Sequence, residues 1–229
     1  MGVIAPVSRV EWRPCYRMIS SRFPPLGVYD RVANPADLEA VFAVENLTNP
    51  RLRQDAGEVS LVAAEDRLSG EESTPIMAAF THLNPEGSRF SDGTYGVFYA
   101  GRSLDTAIAE TRYQRERFLS RTKEEPIEIE MRTYLTDLNG NLHDIRGRRD
   151  LTAVYDANNY AAGQVLGREL KEANSWGIAY DSVRDPGGEC VGVFRPPVLS
   201  NCIQGPHFGY LWNGSRITTV IRKSIEKAY

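Results

Sequence analysis

A chain of 229 residues with 41% hydrophobic and 25% charged residues holds enough apolar side chain for a packed core, and one domain with insertions is the expectation below about 250 residues. A formal net charge of −3 argues against a broad attraction to nucleic acid, while local arginines can still hold one small anion. Arg9, Glu11 and Arg13 interrupt the region a secretory leader keeps apolar, and no run approaches membrane-spanning length, so a cytoplasmic protein with no membrane partner is expected.

In chain order, PCYRMIS reads as a strand that places Arg17 early, and the prolines of FPPLG end it. Asn34 offers a helix cap, Pro35 fits the first turn, and Asp37 and Glu39 suit the amino-terminal dipole ahead of Leu38, Val41 and Phe42. From 46 to 87 turn formers dominate and PIMAAFTHL is the one apolar run, so a loop-rich insertion that contributes to a substrate lid is expected. TYGVFYA is aromatic and β-branched enough for a strand, broken at Gly101. Ser103 can then cap a helix whose stripe is Leu104, Ala107, Ile108, Thr111, Arg115, Phe118 and Leu119, with Glu110 at its edge.

IEIEMRTYLTDL alternates as a strand, and Asn139-Gly140 is expected to close it as a turn. Asp156 is expected to cap a helix that continues through Leu170 and fades at Asn174 and Gly177. WGIAYDSV and CVGVFRP should pair as a hairpin through RDPGGE, with Ser182 ending the first strand. A second hairpin joins FGYLW to SRITTVI through Asn213-Gly214. Helices mixed with late hairpins favour an α+β fold over a doubly wound parallel sheet.

The common phosphate-binding, dinucleotide, hydrolase and zinc-protease motifs are absent. His82, His143 and His207 are scattered, and Cys15, Cys190 and Cys202 are odd in number and widely spaced, so neither a metal site nor a disulfide framework is expected. What remains is a distributed pattern: CYR at 15–17, SRF at 88–90, FYA at 98–100, AET at 109–111 and YDSV at 180–183.

In these segments the chain resembles the RES-domain toxins, encoded beside Xre-type antitoxins, which consume NAD. The resemblance is most specific between Ser88 and Thr111. It implies an ADP-ribosyltransferase-toxin-like split mixed sheet with flanking helices, formed by residues 1–229 as a single NAD-binding catalytic domain. It assigns catalytic roles to Arg17, Tyr99 and Glu110, and NAD binding to Arg17, Arg89, Phe90, Tyr99 and Ser182, with no metal. Ser88 and Phe90 stand where the family commonly has glycine and tryptophan. Arg17 and Arg89 carry planar charged forks suited to a pyrophosphate. Glu110 suits the positive charge that develops on a ribose losing nicotinamide, Tyr99 and Phe90 supply aromatic walls, and Ser182 can donate to a phosphate or ribose oxygen.

The implied activity is mono-ADP-ribosylation of a host protein, which in the ParT-like branch is phosphoribosyl pyrophosphate synthetase, with an Xre-type antitoxin as partner. The alternative is an NAD glycohydrolase or phosphorylase that depletes the cell's NAD. From another class comes a noncatalytic module whose arginines hold a nucleotide or a partner peptide.

Overall fold

The computed structural model describes residues 5–20, 29–30, 34 and 57–224. The helix expected from Asn34 to Phe42, together with Arg31 and Arg51, lies outside the described residues apart from Asn34 itself. The first strand, β1 (Val7–Ser20), pairs antiparallel with β3 (Ile127–Asp144) from Val7↔His143 to Ser20↔Met131. The register shifts between Trp12 and Cys15, and Pro14 sits in that shift, where its missing N–H costs no ladder bond.

Asn139-Gly140 does not turn. Both residues continue β3 opposite Glu11 and Val10, because a two-residue turn signal is local and the long ladder with β1 overrides it. Gly140 serves packing instead: a Cβ there would lie 2.7 Å from Val198 Cγ1.

The described part of the loop-rich stretch, 57–87, holds two single-turn helices and α1 (Thr74–Thr81), which is the apolar run PIMAAFTHL with Pro75 in its first turn. β2 (Phe98–Gly101) is the last part of TYGVFYA. Ser103 caps α2 (Leu104–Leu119) as expected, its side chain accepting from the Thr106 amide. The next helix starts later than expected. Asp156 accepts from the amides of Asn158 and Asn159 and so closes a turn, and α3 runs from Ala161 to Glu172. Asn174, at φ 59°, takes the left-handed conformation past its end. Both late hairpins form: β4 (Gly177–Asp181) with β5 (Glu189–Val193), and β6 (Leu199–Trp212) with β7 (Ile217–Lys223).

The strands join in the order β1-β2-β5-β4-β3-β6-β7, with β1 also paired to β3. The fold is therefore α+β with a mixed sheet, since β3 and β4 run parallel while the other pairs are antiparallel. The sheet is split. One half is β1-β3-β6-β7 and the other β2-β5-β4, and among the described residues their strands pair at Tyr16↔Gly101 on one side and at His143↔Ile178 and Asp144↔Ala179 on the other.

Three apolar clusters hold this frame. One contains Trp12, Met77, Phe98 and Leu138; the second contains Phe90, Leu166, Ile178, Tyr180 and Phe194; the third packs Ala107 and Leu119 of α2 on Met18, Met131, Phe208 and Tyr210. Fully burying each large apolar side chain contributes roughly 1.5–3 kcal/mol. α2 is thus fixed on the β1-β3-β6 half, while α3 is fixed on β4 and β5.

Candidate active site

Between the sheet halves lies a cavity of about 850 Å³ lined by parts of β1, α1, the 84–91 loop, β2 and α2. Such a volume falls within the range of about 300–1,000 Å³ common to small-molecule sites. From α2 it takes Ala107, Glu110, Thr111, Gln114 and Arg115, a spacing of i, i+3, i+4, i+7 and i+8 that lays one helical stripe along the wall.

Glu110 is half-buried on this stripe, and its Oε1 accepts a 2.7 Å hydrogen bond from Ser182 Oγ. Ser182 itself accepts from the amides of Arg184 and Asp185 at 3.1 and 3.0 Å. Its single proton therefore goes to Glu110, and the two amides set the hydroxyl's direction. Asp185 in turn accepts from Thr106 Oγ1 at 2.6 Å, tying the loop after β4 to the start of α2. Ser182 does not line the cavity; its hydroxyl donates to Glu110, which sets it behind the carboxylate.

Tyr99 lines the cavity from β2. Its hydroxyl bonds Ser88 Oγ at 2.8 Å and accepts from the Phe90 amide at 2.9 Å, so the phenol fastens the 88–90 loop to the strand. Burial pushes its pKa up to about 12, against the lowering influence of those two bonds, and the group is neutral at physiological pH. Arg17 reaches the same strand from β1. Its Nη1 donates to the Tyr99 carbonyl at 3.1 Å and its guanidinium lies 4.8 Å from the Phe98 ring centroid. Burial lowers its pKa to about 10, which leaves it charged at neutrality.

Arg89 lines the cavity but is only 6% exposed. Its Nη1 donates to the carbonyls of Val154 and Asp156 at 2.9 and 3.0 Å, and its guanidinium lies 4.7 Å from the Tyr160 centroid. One arm of its fork, Nη1, thus pins the segment ahead of α3. Phe90 is not a wall of the cavity. Its ring is wholly buried in the second cluster, edge-on to Tyr180 at 4.9 Å, because α3 packs directly on this loop. Gly163 and Gly167, one turn apart on α3, permit that approach: a Cβ on either would collide with the carbonyl oxygen of Arg89 or Phe90.

The structure brings Arg17, Tyr99, Glu110 and Arg89 to one cavity and puts Ser182 directly behind Glu110. It adds Arg115, Gln114, Tyr134, Tyr160 and Tyr180, which sequence reasoning missed as site residues. Arg115 carried a signal, a charge on an otherwise apolar helical stripe; Tyr134 and Tyr180 carried none, since a tyrosine in an apolar strand reads as core. Cys190 also borders the cavity, and burial followed by the charge of Glu110 pushes its thiol well above the ordinary range, so it stays protonated. Among the described residues no group of three or more His, Cys, Asp or Glu comes together to hold a metal, and no helix is long and apolar enough to cross a membrane.

The sequence model of the RES domain matches residues 64–213, which include Arg89, Tyr99, Glu110 and Ser182 and leave Arg17 outside. A curated relative, the uncharacterized protein y4oC of Sinorhizobium fredii (strain NBRC 101917 / NGR234), is 36% identical over 204 residues, 89% of this chain and 84% of that protein. A solved structure, the M. tuberculosis MbcT-MbcA toxin-antitoxin complex, aligns with a TM-score of 0.46 at 11% identity, covering 87% of this chain and 86% of that one. With the family's domain matched over most of its length, and a relative aligned across nearly all of it, this chain belongs to the RES-domain family.

Proposed function

We propose that this protein is the toxin of a toxin–antitoxin pair, an enzyme that removes nicotinamide from NAD and transfers ADP-ribose to a protein of its own cell. The observation that carries this reading is the Glu110 carboxylate, held by Ser182 on the wall of a cavity whose other Asp, Glu, Lys or Arg lining side chains, among the described residues, are Arg17, Arg89 and Arg115. Three cations and one oriented anion fit a ligand that is anionic overall and becomes positive at one carbon.

When the bond from ribose to nicotinamide breaks, the nicotinamide leaves as a neutral ring with the bonding pair, and the sugar carbon takes up positive charge. Glu110 stabilises that charge and holds a ribose hydroxyl. Tyr99 offers its ring, with the hydroxyl already satisfied by the 88–90 loop, so the phenol does not act as an acid or base. Arg17 draws anionic oxygens toward β2. A nucleophile on the acceptor then bonds to the sugar carbon and its proton passes to solvent.

α1, from the loop-rich stretch ahead of Arg89, contributes Pro75, Ala78 and Ala79 to the cavity wall. That stretch therefore borders the site, which favours a macromolecular acceptor that docks on it; phosphoribosyl pyrophosphate synthetase is the first acceptor to test. An Xre-type antitoxin is the partner expected to restrain the enzyme. Purified protein incubated with NAD and cell extract is expected to release nicotinamide and leave ADP-ribose on a protein detectable by mass spectrometry. Free ADP-ribose or its phosphate ester alone assigns the protein to NAD degradation instead. No nicotinamide release with or without extract rejects an enzyme and leaves a binding module.

A further inference from the structure

The two arginines that the family resemblance assigns to the pyrophosphate are partly spent on the protein itself. Arg89 gives Nη1 to two carbonyls, and Arg17 gives Nη1 to a third. Arg115 is different. It is half-buried on the cavity-lining stripe of α2, and among the described residues it makes no hydrogen bond or ion pair; its one ring contact is Phe118 at 6.0 Å, a side chain that is 55% exposed. Partial burial lowers its pKa, and no carboxylate acts in the other direction. Its guanidinium nitrogens are not among the buried unpartnered atoms, so its donors face solvent in the cavity and are open to an anionic ligand.

Its position indicates what that anion is. Arg115 follows Glu110 by five residues, which places its Cα roughly 7.5 Å further along the helix axis and about 140° round it, so the two side chains flank the cavity-lining stripe from its opposite edges. A ribose whose anomeric carbon faces Glu110 carries its phosphate at the far end, beyond the ring and one exocyclic carbon. The same stripe therefore offers a carboxylate for the sugar and a guanidinium for the phosphate that the sugar bears.

Resting on the NAD-consuming reading above, we infer that Arg115 is a substrate-binding residue that holds the pyrophosphate through its unoccupied fork, while Arg89 chiefly holds the protein. This makes α2 a ruler with the reacting carbon set at one mark and the phosphate at the other. A ligand with a sugar but no phosphate engages only the first.

The test compares wild type with Arg115→Ala and Arg115→Lys in two measurements: NAD turnover, and ADP-ribose binding by calorimetry at two salt concentrations. For Arg115→Ala we expect KM for NAD and Kd for ADP-ribose to rise about 10- to 100-fold, the loss typical of a charged hydrogen bond. kcat should change by less than about threefold, because the contact is equal in ground and transition states. ADP-ribose binding by the variant should depend less on salt than that of wild type, and Arg115→Lys should recover part of the affinity. Unchanged KM and Kd in both variants overturn the inference while leaving the NAD reading intact, as does a fall in kcat and thermal stability with KM unmoved. If Arg115→Ala fails to fold, the lysine variant decides: wild-type KM and wild-type salt dependence reject the fork contact. A wild-type protein that neither releases nicotinamide nor binds ADP-ribose rejects the NAD reading, and this inference with it.

Discussion

Ser182 and Glu110, 72 residues apart in sequence, meet at 2.7 Å with the serine hydroxyl donating to the carboxylate. Glu110→Gln keeps the size and can still accept that proton, while removing the charge. Turnover is expected to fall about 10²- to 10³-fold, the scale set by losing one electrostatic contact to a transition state, with an unchanged melting temperature. Ser182→Ala acts through Glu110 and also strips the acceptor from the amides of Arg184 and Asp185. It should lower kcat about tenfold with little change in KM, and cost about 1–2 kcal/mol of stability. A wild-type kcat in either variant removes the corresponding role.

Tyr99→Phe separates the ring from its hydroxyl. The variant keeps the aromatic surface in the cavity but frees Ser88 Oγ and the Phe90 amide. Denaturant titration should show a loss of about 1–3 kcal/mol, the cost of leaving buried polar groups unsatisfied. Activity near neutral pH should persist within about tenfold wherever the loop stays in place. A complete loss of activity in a protein of wild-type stability would give the hydroxyl a chemical task.

Gly167→Ala tests how α3 supports the site from behind. The added methyl would meet the Phe90 carbonyl, a backbone group that has no rotamer to yield. Destabilisation by about 2 kcal/mol or more is expected, with a drop in activity as the 88–90 loop moves away from Tyr99. Gly147→Ala offers a contrast, since no neighbouring atom lies within 4 Å of a Cβ there; its φ of 71° adds backbone strain alone, and activity should survive.

Alkaline pH should destabilise the protein. Burial raises Tyr29, Tyr99, Tyr155 and Tyr210 from 10.0 to about 12. The unfolded chain therefore loses these protons first, so the stability they represent is complete below pH 10 and declines as pH rises toward 12. Arg17, lowered to about 10, works in the opposite sense, while the raised thiols of Cys15 and Cys202 add to the tyrosines. On the acid side Asp144, bonded to Arg146 and Ser8, is lowered from 3.8 to about 2, so its contribution is present above pH 3.8 and is lost as pH falls toward 2. Urea midpoints measured at pH 2.5, 7, 10 and 11.5 check both limbs; a midpoint that holds from pH 10 to 11.5 contradicts the alkaline one.

Local chemistry made α2 legible from the sequence: Ser103 caps it and the apolar stripe orients it. Both late hairpins were legible for the same reason, since their turn residues lie beside the strands they join. Asn139-Gly140 misled because that logic is blind to a strand arriving from β1, more than a hundred residues earlier. Asp156 misled more mildly, as a capping side chain can close a single turn as readily as a helix. At the site, residue types were readable but their duties were not. Ser182 reads as a ligand contact in the sequence and stands behind Glu110 in the structure, and Phe90 reads as a wall and is buried beneath α3. Such duties depend on which partner claims a hydrogen bond first, and a one-dimensional pattern does not record that.

The split sheet draws Arg17 from the first strand, Tyr99 and Glu110 from the middle of the chain, and Ser182 from the loop after β4, while β5 is the strand that links β2 to β4. Because β5 comes after both strands it joins, the β2-β5-β4 half of the sheet is complete only once the chain through Val193 is present. A chain ending before β5 would carry every residue of the motif up to Ser182 but lack the strand that joins β2 to β4. The topology thus makes the cleft a late product of folding, closed only when β5 has found both of its neighbours.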